Sequence, residues 1–276
     1  MNTTTTHAGE ILKTWRRRRG LSQLDLAADA GISQRHLSFM ETCRSTPSRD
    51  MALHLAEQLE VPLRDRNALL AAAGFAPVYR ERPLDDPALA AAREAVELIL
   101  QGHEPYPAIA VDRRWTLIHS NRTAAALMGG ADPKLTQPPV NVVRVSLHPD
   151  GLASRIANFS EWRHHVLQRL AREAAQSGDP EIAALAEEVR AYPTPPRARI
   201  QRPPATPRYG GIAIPLELKT PDGGVLSFLS ATTMFGSPVE ISLEELMIES
   251  FFPANAETAA AMQAMAGLHS PPSPRP

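Results

Sequence analysis

The sequence predicts an α+β chain in two parts: an all-α domain of five short helices, then an antiparallel sheet domain with helical insertions. Three observations carry that expectation. The chain has 276 residues, more than the ~100–150 of a common single domain. Between residues 8 and 75, apolar side chains recur at helical spacing with only short breaks. From Pro107 onward, short apolar runs bounded by turn residues alternate with longer helical stretches. The composition is 43% hydrophobic but only 5% aromatic. Its cores must therefore be mostly Ala, Leu, Ile and Val, and wholesale disorder is excluded.

The first domain is expected over residues 1–76, closing near Gly74, which suits the position just past a helix. Its informative stretch is Leu21–Glu41. Two short helices crossing steeply over a tight turn make four demands. A small residue must sit where they cross, and Ala27 is there. The turn needs a residue tolerating positive φ, and Gly31 supplies it. The second helix needs inward apolar residues one turn apart, and Leu37 and Met40 are so spaced. Each helix needs an N-cap: Ser22, with Asp25 as its capping-box partner, and Ser33. An ordinary helical hairpin explains the caps and the glycine. It does not explain the joint spacing of Gln23, Ala27, Gly31, Leu37 and Met40, so the stretch reads as a helix-turn-helix that binds DNA.

Residues 77–87 are polar and proline-punctuated, which suits a linker. The second domain is expected over residues 88–266. A helix runs from Pro87 to about Gln101. Two strands, 108–111 and 115–120, flank a tight turn at 112–114. Asn121 caps a helix over 122–128 that Gly129 and Gly130 stop. Residues 151–191 are helical in composition, broken at 177–180. Six prolines between 193 and 207 require a loop. A hairpin of 211–219 and 225–235 turns at 221–224. Ser242, with Glu245 three residues on, opens a last helix. The prolines and serines of 267–276 read as a disordered tail.

Charge is uneven. The whole chain carries a formal −1, yet residues 1–50 hold eight cations against five anions. A docking face can be basic without a basic protein. The run Arg16–Arg19 has a plainer role as well, since cations in a helix's last turn are worth about 0.3–1 kcal/mol each. One or two of these are expected to touch phosphate and the rest to be solvated. The lone Cys43 cannot form an internal disulfide and reads as incidental. No apolar run reaches membrane-span length, and the polar N-terminus lacks a signal-peptide core, so a cytoplasmic protein with no membrane partner is expected.

Catalysis finds no support in the sequence. It contains no GxSxG elbow, P-loop or GxGxxG fingerprint. The adjacent His164 and His165 point about 100° apart on a helix and share no ligand face, so they read as exposed histidines. No catalytic residue, metal site or cofactor is expected.

The first domain resembles the phage-repressor-like, or XRE (Cro-type), family of bacterial regulators. In that family a Glu, a short basic turn and a Pro follow the recognition helix, as in Glu41-Thr42-Cys43-Arg44-Ser45-Thr46-Pro47. The resemblance implies further helices at about 48–60 and 63–73. It places the helix 33–41 in the major groove, with Ser33, Gln34, Arg35 and Ser38 at base edges and His36 nearby. Gln pairs with adenine and Arg with guanine, each giving about 1–3 kcal/mol of discrimination. Gln23 resembles the family's phosphate-contacting glutamine, and Arg44 suits a phosphate clamp. Glu41 is expected to pair with a helix-one arginine, Arg16.

The second domain resembles the ligand-binding domain of MmyB-like transcription regulators. The resemblance rests on Ser146-Leu147-His148-Pro149-Asp150-Gly151-Leu152, Arg155–Phe159, Trp162, Ser227–Gly236 and Glu249–Ala254. It implies a PAS-like sheet cradling an apolar pocket for a fatty-acid-like or other hydrophobic molecule. Phe159, Trp162, Phe228 and Met234 are candidate pocket walls, with core packing as the alternative for each. Arg155 is a candidate partner for a ligand carboxylate, with a surface ion pair as the alternative. The expected partners are operator DNA, a hydrophobic effector and a second copy of the chain. Half-sites would then lie roughly 34 Å apart. The alternative makes the second domain a dimerisation or protein-interaction module alone.

Overall fold

The computed structural model describes residues 7–196, 213–235 and 240–268. Most of the expected proline-rich loop, the first residues of the hairpin and nearly all of the tail lie outside the described residues. The chain forms two compact units. The first comprises residues up to Pro83 together with 175–178 and the stretch ending at Glu244; the second holds the rest.

The first unit is built on five helices, α1 (Ala8–Arg18), α2 (Gln23–Asp29), α3 (Gln34–Glu41), α4 (Arg49–Gln58) and α5 (Leu63–Ala72). Their inward residues, among them Leu12, Trp15, Leu26, Leu37, Met40, Leu55 and Leu70, form one buried cluster. Ser22, Ser33 and Ser48 cap α2, α3 and α4 by accepting the amide three residues on. α5 has no such cap, because Pro62 precedes it. The Leu63 amide instead donates to a Glu244 oxygen at 2.8 Å. Gly9 is required by a close approach, since a Cβ there would stand 2.1 Å from the Met40 carbonyl oxygen. The stretch expected as a linker is tied down in part. Asn67 donates to the Tyr79 carbonyl and accepts from the Val78 and Tyr79 amides, and Arg80 bridges to Glu240.

The second unit contains a five-stranded antiparallel sheet in the order β2-β1-β5-β4-β3. Its strands are β1 (Ala108–Val111), β2 (Leu117–Ser120), β3 (Leu216–Lys219), β4 (Val225–Met234) and β5 (Met247–Pro253). One face packs on a short 3-10 turn and α6 (Ala90–Gly102), burying Val96 and Leu100 against Ala108, Ala110 and Ile248. The other face packs on α7 (Arg122–Met128), α9 (Val142–Leu147), α10 (Phe159–Ser177), α11 (Pro180–Ala191) and α13 (Ala256–Leu268). The short α8 (Pro133–Thr136) precedes α9.

The expected final helix at Ser242 is corrected by the structure. Only one turn forms, α12 (Ile241–Glu244), and the Ser242 hydroxyl donates to the Arg82 carbonyl rather than capping a helix. The chain then enters β5, a central strand paired on both edges. Its β-branched and aromatic residues favour that strand. The expected helix from 151 is also shortened, because 151–158 forms turns and Ile156 bridges to Leu218.

Candidate functional site

The helix-turn-helix is held by contacts within a few residues of each other. Ser22 and Asp25 complete the capping box on α2, and Gly31 takes φ 64° in the turn. Ala27, Leu37 and Met40 are buried. That leaves Ser33, Gln34, Arg35 and His36 exposed on the opposite side, with Ser38 half-buried. The guanidinium carbons of Arg35 and Arg44 stand 5.3 and 5.9 Å from the Phe39 ring centre, so one aromatic braces both cations.

Beneath this surface lies a polar anchor joining three helices. Arg16 of α1 donates to both Glu41 oxygens of α3, at 2.6 and 2.8 Å, and to the Leu21 carbonyl. Gln23 of α2 donates to the same carboxylate at 2.8 Å. Burial alone would raise the Glu41 pKa, but the hydrogen bonds from Arg16 and Gln23 and the nearby positive charges outweigh it and hold it low. Elsewhere in the basic run, Arg19 donates to the Leu59 and Glu60 carbonyls, Arg18 rests over the Trp15 ring, and Arg17 is exposed.

The second unit holds an apolar cavity of about 110 Å³. Its walls come from Ile109, Trp115, Ala124, Leu127, Val142, Val145, Leu216, Leu218, Phe228 and Phe251. One face of α10 closes it with Trp162, His165, Val166 and Arg169, spaced at successive helical turns. Trp115 adopts φ 66° in the β1–β2 turn, an uncommon conformation for a bulky residue, stabilised locally as Asp112 accepts from the Arg114 and Thr116 amides.

Four polar side chains reach the cavity: Ser146, His165, Arg169 and Glu249. Arg169 donates to both Glu249 oxygens, to Glu173 and to Thr232, and lies 4.4 Å from the Trp115 ring centre. The Ser146 oxygen accepts from the Trp162 indole at 3.0 Å. His165 leans on that indole, and burial followed by the charges of Arg169 and Arg172 lowers its pKa.

A family model described as the MmyB-like transcription regulator ligand binding domain matches residues 92–265. A helix-turn-helix model matches residues 12–65. The chain belongs to the MmyB-like transcription regulators. It is thus a ligand-regulated transcription regulator with a DNA-binding helix-turn-helix. No curated protein matches it. Two solved structures of light-oxygen-voltage proteins are similar at low identity. One, of an RsLOV variant, is 14% identical over 64% of this chain and 79% of that one, with a TM-score of 0.29. The other, titled as an RNA-binding light-oxygen-voltage receptor, is 12% identical, with 95% of this chain and 63% of that one covered and a TM-score of 0.28. Neither likeness bears on what this MmyB-like chain binds.

Of the five residues expected at the pocket, Trp162 and Phe228 line the cavity. Three do not. Arg155 donates to the Leu127 carbonyl. Phe159 is wholly buried in the surrounding core. Met234 sits at the exposed end of β4, 60% exposed. His165 corrects another expectation, because it lines the cavity while its neighbour His164 is exposed. The sequence did carry a signal for the missed residues. Trp162, His165, Val166 and Arg169 fall at i, i+3, i+4 and i+7, one continuous helical stripe. Among the described residues, no group of three or more His, Cys, Asp or Glu could hold a metal ion.

Proposed function

We propose that this MmyB-like regulator reads operator DNA with α3 in the major groove, and that a hydrophobic molecule in the PAS-like second unit controls that binding. Ser33, Gln34, Arg35, His36 and Ser38 face base edges, while Gln23 and Arg44 contact phosphate. The observation that carries the reading is the two-sidedness of α3. One side is sealed by Leu37, Met40 and the Arg16–Glu41 pair, and the other presents Gln34 and Arg35 to solvent. Gln23 already donates to Glu41, so a phosphate would meet an amide whose position is set by the anchor.

The protein acts in the cytoplasm as a homodimer on a pseudo-palindromic site. No described helix is long and apolar enough to cross a membrane. The effector has a fatty-acid-like hydrocarbon body, which the walls of the cavity suit. It controls DNA affinity to the extent that it binds one state of the protein better than the other. The test is selection of bound sequences from a random duplex pool with the full chain, repeated with Arg35→Ala. A single enriched motif that loses definition at one position in the variant supports the reading. Enrichment of no motif overturns it.

A further inference from the structure

We infer that the cavity selects uncharged hydrophobic molecules bearing a hydroxyl or carbonyl group, and discriminates against carboxylates. This rests on the ligand-binding reading above and names the chemistry at the polar end of the ligand.

Two kinds of polar group face the cavity, and they differ in commitment. The charged kind is engaged. Arg169 spends four N–H bonds on Glu249, Glu173 and Thr232 and stacks on Trp115. Glu249 is itself buried and takes a further hydrogen bond from the Thr232 hydroxyl. A ligand carboxylate approaching Arg169 would have to displace the Glu249 carboxylate or lie against it. Either arrangement places an unpaired negative charge among apolar walls, the costliest group to bury. Arg155, the cation that the sequence offered to a ligand carboxylate, is turned to a backbone carbonyl outside the cavity.

The neutral kind is open. The Ser146 oxygen accepts from Trp162, and among the described residues its own O–H meets no acceptor. The His165 ring nitrogens likewise have no hydrogen bond among the described residues, while the ring packs on the same indole. A hydroxyl offers a donor and an acceptor to such a pair, and a carbonyl accepts from either. Ser146 and His165 thus supply what a neutral polar group needs, whereas for a carboxylate they offer hydrogen bonds without the positive charge that would offset its burial.

The size of the preference is bounded. A carboxylic acid can escape the penalty by binding protonated, which at pH 7.5 costs about three pH units and caps discrimination near a thousandfold. We expect decan-1-ol and methyl decanoate to bind the full chain between roughly tenfold and a thousandfold tighter than decanoate. Binding is read by calorimetry and by the fluorescence of Trp115 and Trp162 in the cavity wall. Glu249→Gln releases part of the Arg169 charge and should shrink the alcohol-to-acid ratio at least severalfold. Ser146→Ala, a small change in case the first variant does not fold, should shrink the same ratio from the other side by weakening the alcohol. Decanoate binding as tightly as decan-1-ol overturns this inference and leaves the ligand-binding reading intact. Binding of none of the three overturns both.

Discussion

Two of the buried arginine–glutamate pairs among the described residues do different work. In the helical unit, Arg16 and Glu41 are enclosed by apolar side chains, and the pair fixes α1, α2 and α3 to one another. In the sheet unit, Arg169 and Glu249 tie α10 to β5 and border empty space. In each pair the arginine donates to both oxygens of the carboxylate. What differs is the neighbour: a packed core makes the pair a fastener, while a cavity makes it a filter. A pair is weak evidence for stability in itself, but removing one partner leaves the other buried and unpaired.

The sharpest way to break the comparison is to remove one partner from each. Arg16→Met should cost about 3–5 kcal/mol of stability, because Glu41 keeps only Gln23. Denaturant dependence of hydrogen exchange in α1, α2 and α3 of the full chain measures it. A loss below about 1 kcal/mol would mean that the anchor is dispensable. Glu249→Gln should cost less, about 1–3 kcal/mol, since Arg169 keeps Glu173 and Thr232. If the second loss exceeds the first, the distinction between fastener and filter fails.

The DNA-facing side tests what the fastener is for. Arg35→Ala should cost about 1–3 kcal/mol at one base position and little elsewhere, read by binding to single-base operator variants. Arg44→Ala should weaken all sequences alike and lower the slope of log affinity against log salt by about one. If Arg44→Ala changes sequence preference instead, its assignment to phosphate is wrong.

The smallest expected effect is in acid. The Glu41 pKa is lower folded than unfolded, so its contribution is present above the ordinary carboxylate value of about 4.3 and lost as pH falls below it. His165 is also lowered on folding. Its contribution is present above the ordinary histidine value of about 6.5 and lost as pH falls below that. Region-resolved hydrogen exchange from pH 7.5 to 4 should therefore show α10 loosening before α3. Simultaneous loosening would count against separate causes.

The helical unit was readable because its determinants are local. Ser22 finds Asp25 and Ser33 finds the His36 amide three residues on, and even the Arg16–Glu41 pair spans only one motif. The cavity draws on Ile109, Ser146, Arg169, Phe228 and Glu249, which no local pattern connects. β5 shows the difficulty best. Ser242 and Glu245 signal a helix start, and one turn does form, but pairing with β1 and β4 then claims the chain. Glu249 and Ser250, buried polar residues within that strand, broke the alternation that would have announced it. The charge of Arg155 suits a ligand carboxylate or a surface ion pair, and neither reading anticipates the Leu127 carbonyl to which it donates.

The carboxylate over the first turn of α5 bears on how the regulator can be taken apart. Glu244 follows β4 and precedes β5 in the chain, yet it belongs to the helical unit, where it holds the Leu63 amide. A fragment ending at Pro83 would keep all five helices and lose that cap. Cutting there would remove about 0.5–2 kcal/mol of capping from α5 while leaving the buried cluster of the five helices intact, so measurements on such a fragment would describe a unit with a looser α5.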